Sequence, residues 1–147
     1  MIDPTHLAGR QSSVLRALLA LISIWLADPA ERDTITARVQ ALEVAPLAAG
    51  ASGELSLVLL ESPERALPLV IRLDADALTL VENRLGWSAV VDAQALQPRV
   101  RASFRAPARA GEYVVRASVD YDVCSGEWCR HERGEVEWTI EVVAPPS

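Results

Sequence analysis

The sequence predicts an all-β fold, an antiparallel β-sandwich across residues 34–143 with a short hydrophobic helix ahead of it. Three observations lead there. From Thr34 onward apolar residues recur mostly with a period of two, the spacing of a strand with one buried face. Turn signals fall at intervals of about ten residues. The chain has 147 residues, 50 % of them hydrophobic, which suits one domain with a sizeable core.

The elements follow in order. Thr34 to Val44 alternates through Ile35, Ala37 and Val39, then shifts phase at Leu42 and Val44, which predicts a strand with a bulge. Pro46 and the run Ala48 to Gly53 form a loop. Gly53–Leu60 and Leu67–Leu73 read as strands, separated by Ser62-Pro63-Glu64-Arg65. Ala77–Glu82 and Trp87–Val91 are two shorter strands joined across Asn83 to Gly86. Val100–Phe104 is another, bounded by Pro98 and Pro107. After a turn at Ala110-Gly111 come two long strands, Glu112–Cys124 and Cys129–Val143. The tail Ala144-Pro145-Pro146-Ser147 cannot extend the last one.

Ahead of the strands, Ala17 to Ala27 is an apolar run preceded by Arg10 and Arg16. A membrane span needs roughly 20 residues, and this run is shorter. It fits the hydrophobic region of an export signal, so residues 1–30 are expected to be a signal peptide or an N-terminal anchor, and residues 31–147 the β-domain. The other reading is a core helix ended by Asp28-Pro29.

A net charge of −6 disfavours nucleic acid and an anionic membrane surface, both of which need a basic face. Every basic residue is Arg, which excludes lysine-based covalent chemistry. With two Cys and two His, a closed zinc site would need all four.

The last hairpin carries the chemistry. Tyr113, Val115, Ala117, Val119, Tyr121 and Val123 share one face of its first strand, with Arg116, Ser118, Asp120, Asp122 and Cys124 on the other. In the second strand Val136, Trp138, Ile140 and Val142 face inward, and Cys129, His131, Arg133 and Glu135 fall on the opposite phase. Both cysteines therefore point to the polar side. The loop between them, with Ser125-Gly126 as turn chemistry, brings them opposite each other, close enough for a disulfide. Such a bond implies an oxidising compartment.

Three uses of the pair are open on these residues. As a staple it closes a very short loop, worth on the order of 2 kcal/mol. As a solvent-facing bond in a tight loop it has the character of an exchange-active disulfide. As a metal site, Cys124, Cys129 and His131 would suit zinc or Cu(I). The charges differ around the two sulfurs. Asp120, Asp122 and Glu127 stand near Cys124 and disfavour a thiolate there. Arg130, His131 and Arg133 follow Cys129 and favour one, although Arg130 has the opposite strand phase. Cys129 is then the expected nucleophile and Cys124 the resolving partner. Trp128 is placed to shield the sulfurs or to contact a partner.

The segment Gly111 to Val142 (GEYVVRASVDYDVCSGEWCRHERGEVEWTIEV) resembles the end of the N-terminal, immunoglobulin-like domain of the DsbD thiol:disulfide interchange protein family. The likeness rests on Gly111 before a long alternating strand, Tyr121 three before Cys124, the close Cys124/Cys129 pair and the alternating strand after it. Ala49 to Leu55 is similar to the family's early loop and strand. Family members often carry prolines after the second cysteine, where this chain has Arg130-His131-Glu132. The resemblance implies an immunoglobulin-like sandwich in the periplasm or another extracytoplasmic space, with residues 1–30 a possible membrane anchor and the domain monomeric. Its activity would be that of a protein-disulfide reductase component. Cys124 and Cys129 would be catalytic; Tyr121, Asp122, Trp128 and His131 would bind the partner or modulate the pair. The partner would be a thioredoxin-like protein or a membrane electron-transfer domain, and no cofactor is expected. The alternative is a non-catalytic immunoglobulin-like binding or structural module whose disulfide is a staple.

Overall fold

A computed structural model of the chain describes residues 37–146. The hydrophobic helix expected ahead of the sandwich, and the signal or anchor assigned to residues 1–30, lie outside the described residues. Nine strands follow one another: β1 (Val39–Ala41), β2 (Leu47–Ala48), β3 (Ser52–Leu59), β4 (Val70–Ala75), β5 (Thr79–Leu80), β6 (Arg84–Leu85), β7 (Arg99–Arg105), β8 (Gly111–Ser125) and β9 (Trp128–Val143). The single helical turn among the described residues, Trp87–Ala89, is far too short to cross a membrane.

The strands form two sheets, ordered β1-β3-β7-β5 and β2-β9-β8-β4-β6. In immunoglobulin terms the first is the A-B-E-D sheet. In the second, β4, β8 and β9 stand as C, F and G, with β6 added beside C. All pairings are antiparallel except β2 with β9. A second hallmark agrees. Tyr113, at the start of β8, donates its hydroxyl to the Arg109 carbonyl at 2.6 Å, the tyrosine corner of that fold. The chain is an immunoglobulin-like antiparallel β-sandwich.

The core lies where period two puts it. Leu55, Leu57 and Leu59 of β3 and Val100, Ala102 and Phe104 of β7 face Ile71 and Leu73, then Val115, Ala117, Val119 and Tyr121, and finally Trp138, Ile140 and Val142. Trp138 also donates its indole N–H to the Ser56 carbonyl of the opposite sheet at 3.2 Å.

Several expected elements differ: Ala77–Glu82 shortens to Thr79–Leu80, the connection Asn83 to Gly86 carries β6, and the loop after Pro46 carries β2. The strand over Thr34–Val44 is only Val39–Ala41 among the described residues. The phase shift at Leu42 marks where the chain leaves one sheet for the other, from β1 to β2, not a bulge. The Leu67–Leu73 strand starts at Val70, after Pro68, which has no N–H to give a ladder. Trp87–Val91 is a helical turn rather than a strand: Trp87 is anchored through its indole N–H to the Leu67 carbonyl at 2.9 Å, and Val90 N–H closes on Trp87.

Candidate functional site

The longest pairing in the molecule is β8 with β9, and it outruns the sandwich. The β4 strand supports β8 only as far as Asp120. From Tyr121↔Glu132 to Ser125↔Trp128 the hairpin continues as a two-stranded arm. Gly126 and Glu127 form its tip. Gly126 has φ +58° and Glu127 does not have positive φ, the pattern of a type II′ turn with glycine first. The loop is tighter than the sequence suggests, because the strands run through to Ser125 and Trp128.

Cys124 and Cys129 stand directly opposite each other in this arm and are bonded. They lie on the outer face, as strand phase predicts: Cys124 is half-buried and Cys129 exposed. Both sulfurs are committed to each other, so in this state neither is a thiolate ligand for a metal.

Below the disulfide the outer face continues as a charged ladder, with Asp122 opposite His131 and Asp120 opposite Arg133. His131 bridges both acids, Nδ1 to Asp122 at 3.2 Å and Nε2 to Asp120 at 3.1 Å. Arg133 donates to Asp120 at 2.7 Å, and Arg72 lies 3.8 Å from it. Hydrogen bonding to Asp120, and then to Asp122, holds the His131 imidazole above its ordinary value despite some burial. Burial works the other way on Asp120, but hydrogen bonds from Arg133 and His131 outweigh it and the carboxyl sits low. Asp120, Asp122, His131 and Arg133, which the sequence divides between the two sulfurs, are thus paired with one another across the strands, while Arg130 is taken up by Glu132 and Glu61 on the other face. Much of the charge contrast between Cys124 and Cys129 cancels within the ladder.

The inner face of the arm is where sequence reasoning missed something. Counting back from Val136 along the core phase reaches Gly134, Glu132 and Arg130. Glu132 is fully buried, with 0 % exposure. Arg130 donates its Nε to Glu132 at 2.7 Å and an Nη to Glu61 at 3.1 Å. The Tyr121 hydroxyl lies 3.4 Å from Glu61. Tyr121 is itself fully buried, so it offers no surface to a partner and can act only from beneath. Burial, then hydrogen bonding to Glu132, pushes its phenol far above the ordinary value. Gly134 is required here because any side chain would meet Ala37, whose Cβ and carbonyl oxygen lie 2.9 and 3.0 Å from an added Cβ. That contact lets Ala37 lie against the arm's root, where its N–H bonds the Arg133 carbonyl.

The two carboxyls behave differently. As two carboxylates they would leave the buried Oε2 of Glu132 without a donor. The hydrogen bond with Glu132, then burial, raises Glu61 above the usual carboxylate range. Burial would raise Glu132 as well, but hydrogen bonds from Glu61 and Arg130 hold it low. Of the two, Glu61 is the one whose surroundings favour the proton and Glu132 the one held toward the ionised form. On its far side the Arg130 guanidinium lies 5.6 Å from the ring centre of Trp128, which is 49 % exposed. The loop after β3 supports the arm again through Glu64 N–H to the Asp122 carbonyl at 2.7 Å.

No family model and no curated protein matches the chain. Among solved structures it is similar to WR4, a Caenorhabditis elegans MSP family member. The identity is 10 % and the TM-score 0.47, over 73 % of this chain and 99 % of that one. It is also similar to AggA, the major subunit of aggregative adherence fimbriae type I from Escherichia coli. There the identity is 11 % and the TM-score 0.29, over 73 % of this chain and 94 % of that one. The fold assignment rests on the strand order and the tyrosine corner, and neither likeness bears on what the disulfide does.

Proposed function

We propose that the domain is a thiol:disulfide interchange module of the DsbD N-terminal kind, working outside the cytoplasm, with Cys124–Cys129 as its redox-active bond. The observation that carries this reading is the placement of the disulfide. It sits on the outer face of an arm that projects past its neighbour strand, with Cys129 exposed. A bond that held the sandwich together would join the two sheets, as the core disulfide of antibody domains does. Here Val115 of β8 fills the core with no sulfur near it in the strand.

The chemistry needs no cofactor. A thiolate of a reduced thioredoxin-like partner attacks Sγ of Cys129. The Cys124–Cys129 bond breaks, and Cys124 leaves as a thiolate and takes up a proton. The partner's second thiol then attacks the mixed disulfide and releases Cys129. Two electrons and two protons have moved from the partner's dithiol to this pair. Passing them on reverses the roles: Cys129 attacks an oxidised partner, and Cys124 resolves the mixed disulfide. Asp122 and His131, the next pair on the same face, border the path of approach; Trp128 has the opposite strand phase and packs with Arg130 on the inner face, so it does not shield the sulfurs. The partner is a soluble thioredoxin-like protein or a membrane electron-transfer domain.

A second reading has one observation in its favour. Two-stranded arms are marginal alone, and a cross-strand bond at the tip would stiffen this one without any exchange chemistry. Trapping separates the two. With Cys124→Ser the remaining Cys129 thiol should displace thionitrobenzoate from a thioredoxin-like protein whose second cysteine is replaced by serine and whose first carries that group, leaving a stable mixed disulfide, and with Cys129→Ser it should not. Trapping by neither variant overturns the exchange reading. Trapping by Cys129→Ser alone would keep exchange and move the attacked sulfur to Cys124.

A further inference from the structure

We propose that Glu61 and Glu132 share one proton beneath the disulfide arm and, through Arg130, set the position of Trp128, which precedes Cys129 in the chain but lies on the arm's inner face, so that this half-exposed edge of the arm answers to pH. The value of this to docking rests on the exchange reading above; the proton sharing and its coupling to Trp128 do not.

Two carboxyls meet one guanidinium, and one of them belongs to a side chain with 0 % exposure. With both ionised, the group would hold an uncompensated negative charge and a buried Oε2 with no donor. A single proton on Glu61 removes both faults, since it neutralises the excess charge and supplies the missing donor. The remaining neighbours are Tyr121 from β8, which stays neutral, and Arg38 from the segment before β1, whose charge favours an ionised Glu61. Arg38 is exposed, so it opposes the proton only weakly.

The second step is geometric. A guanidinium is planar, and Arg130 is fixed at two of its nitrogens, Nε by Glu132 and Nη2 by Glu61. Two bonds orient the guanidinium, and its central carbon lies 5.6 Å from the Trp128 ring centre, within cation–π reach. Trp128 follows the tip and immediately precedes Cys129. As pH rises and Glu61 loses its proton, two like charges face each other in a buried site. The loop that carries Glu61 is pushed from the arm, Arg130 loses one of its two fixed bonds, and its contact with Trp128 loosens. Glu61, Glu132 and Arg130 are positioning residues; none touches a sulfur.

The test follows the side chains by NMR across pH in the oxidised protein. Carboxyl carbons of Glu61 and Glu132 are observed together with the indole N–H of Trp128, assigned by its loss in Trp128→Phe. Expected is one carboxyl transition above the ordinary glutamate range, with the Trp128 resonance moving at the same midpoint. Glu61→Gln keeps a donor for Glu132 and an acceptor for Arg130, so it should fold and abolish both movements. Arg130→Lys should keep the carboxyl transition and abolish the Trp128 response. The coupling is overturned if both carboxyls titrate independently in the ordinary range. It is equally overturned if the Trp128 movement survives in Glu61→Gln and vanishes in His131→Gln, which would assign it to the outer ladder. For docking, exchange rates of wild type and Glu61→Gln are compared with reduced thioredoxin and with dithiothreitol. Their ratio should change severalfold across the midpoint for thioredoxin and stay flat for dithiothreitol; a flat ratio for both overturns the docking half. A protein with the NMR coupling that never reacts with thioredoxin overturns the exchange reading and leaves the coupling standing.

Discussion

Reducing the Cys124–Cys129 bond separates an exchange site from a staple, because an exchange site must remain folded in both redox states. The cost can be worked from the structure. The cysteines are 5 residues apart. In the chain-entropy model so short a loop contributes about 7 cal/mol/K, or about 2 kcal/mol at room temperature. Small domains have about 5–15 kcal/mol in hand, so the reduced form should stay native. What holds the arm without the bond is local and remains intact: Glu64 N–H on the Asp122 carbonyl, and the Arg130–Glu132–Glu61 cluster on the inner face. The assay is urea unfolding with and without reductant, repeated on the double Cys→Ser variant. With m-values of about 1–3 kcal/mol/M, the midpoint should fall by roughly 1 M while the slope is unchanged. Hydrogen exchange should quicken mainly between Tyr121 and Glu132. A loss above about 4 kcal/mol, or a reduced protein with no cooperative transition, would refute the reasoning and make the bond structural.

Three further outcomes are expected. Gly134→Ala forces a methyl group against Ala37 and should cost about 1–3 kcal/mol in urea melts, with the loss concentrated at the arm's root; a neutral substitution would mean Ala37 does not lie there. The outer ladder gives stability a pH dependence of defined sign. Asp120 is held low in the fold, so its contribution is present above the ordinary aspartate range and lost as pH falls. His131 is held high, so its contribution is complete below its unfolded value and lost as pH rises through the folded one. Asp120→Asn should bring the His131 ring titration, followed by NMR, back toward the ordinary value, and an unmoved titration contradicts the bridge. Finally, the Tyr121 phenol should ionise at alkaline pH only as the protein unfolds, seen as a cooperative step in tyrosinate absorbance; a reversible titration in the folded state would contradict its burial.

Much of the fold and part of the site were legible in the sequence, and the division has physical causes. Strand phase sufficed where one face is core and the other solvent. It placed Cys124 and Cys129 outside and Trp138 inside, and it carried the two long strands nearly to their ends. It was not followed below Val136, where the same count of two puts Glu132 inside. A glutamate in a core phase reads as the end of the pattern. Its partner, Glu61, lies 71 positions earlier in the chain, so its compensation is invisible locally. The charge contrast between the two cysteines failed for a related reason: Asp122 and His131, or Asp120 and Arg133, are neighbours across strands, not along them. Trp87–Val91 has strand-like composition, but a tertiary hydrogen bond from Trp87 to Leu67 decided its backbone.

The most direct measurement is the reduction potential of the Cys124–Cys129 pair, set by equilibrating the protein with thioredoxin and with glutathione buffers. Structural disulfides of exported proteins lie below about −300 mV, and exchange-active ones are more oxidising. A redox relay requires a value above that level, with thiols and disulfide interconverting reversibly in a protein that stays folded. A pair that neither buffer reduces, at a potential well below about −300 mV, would contradict it.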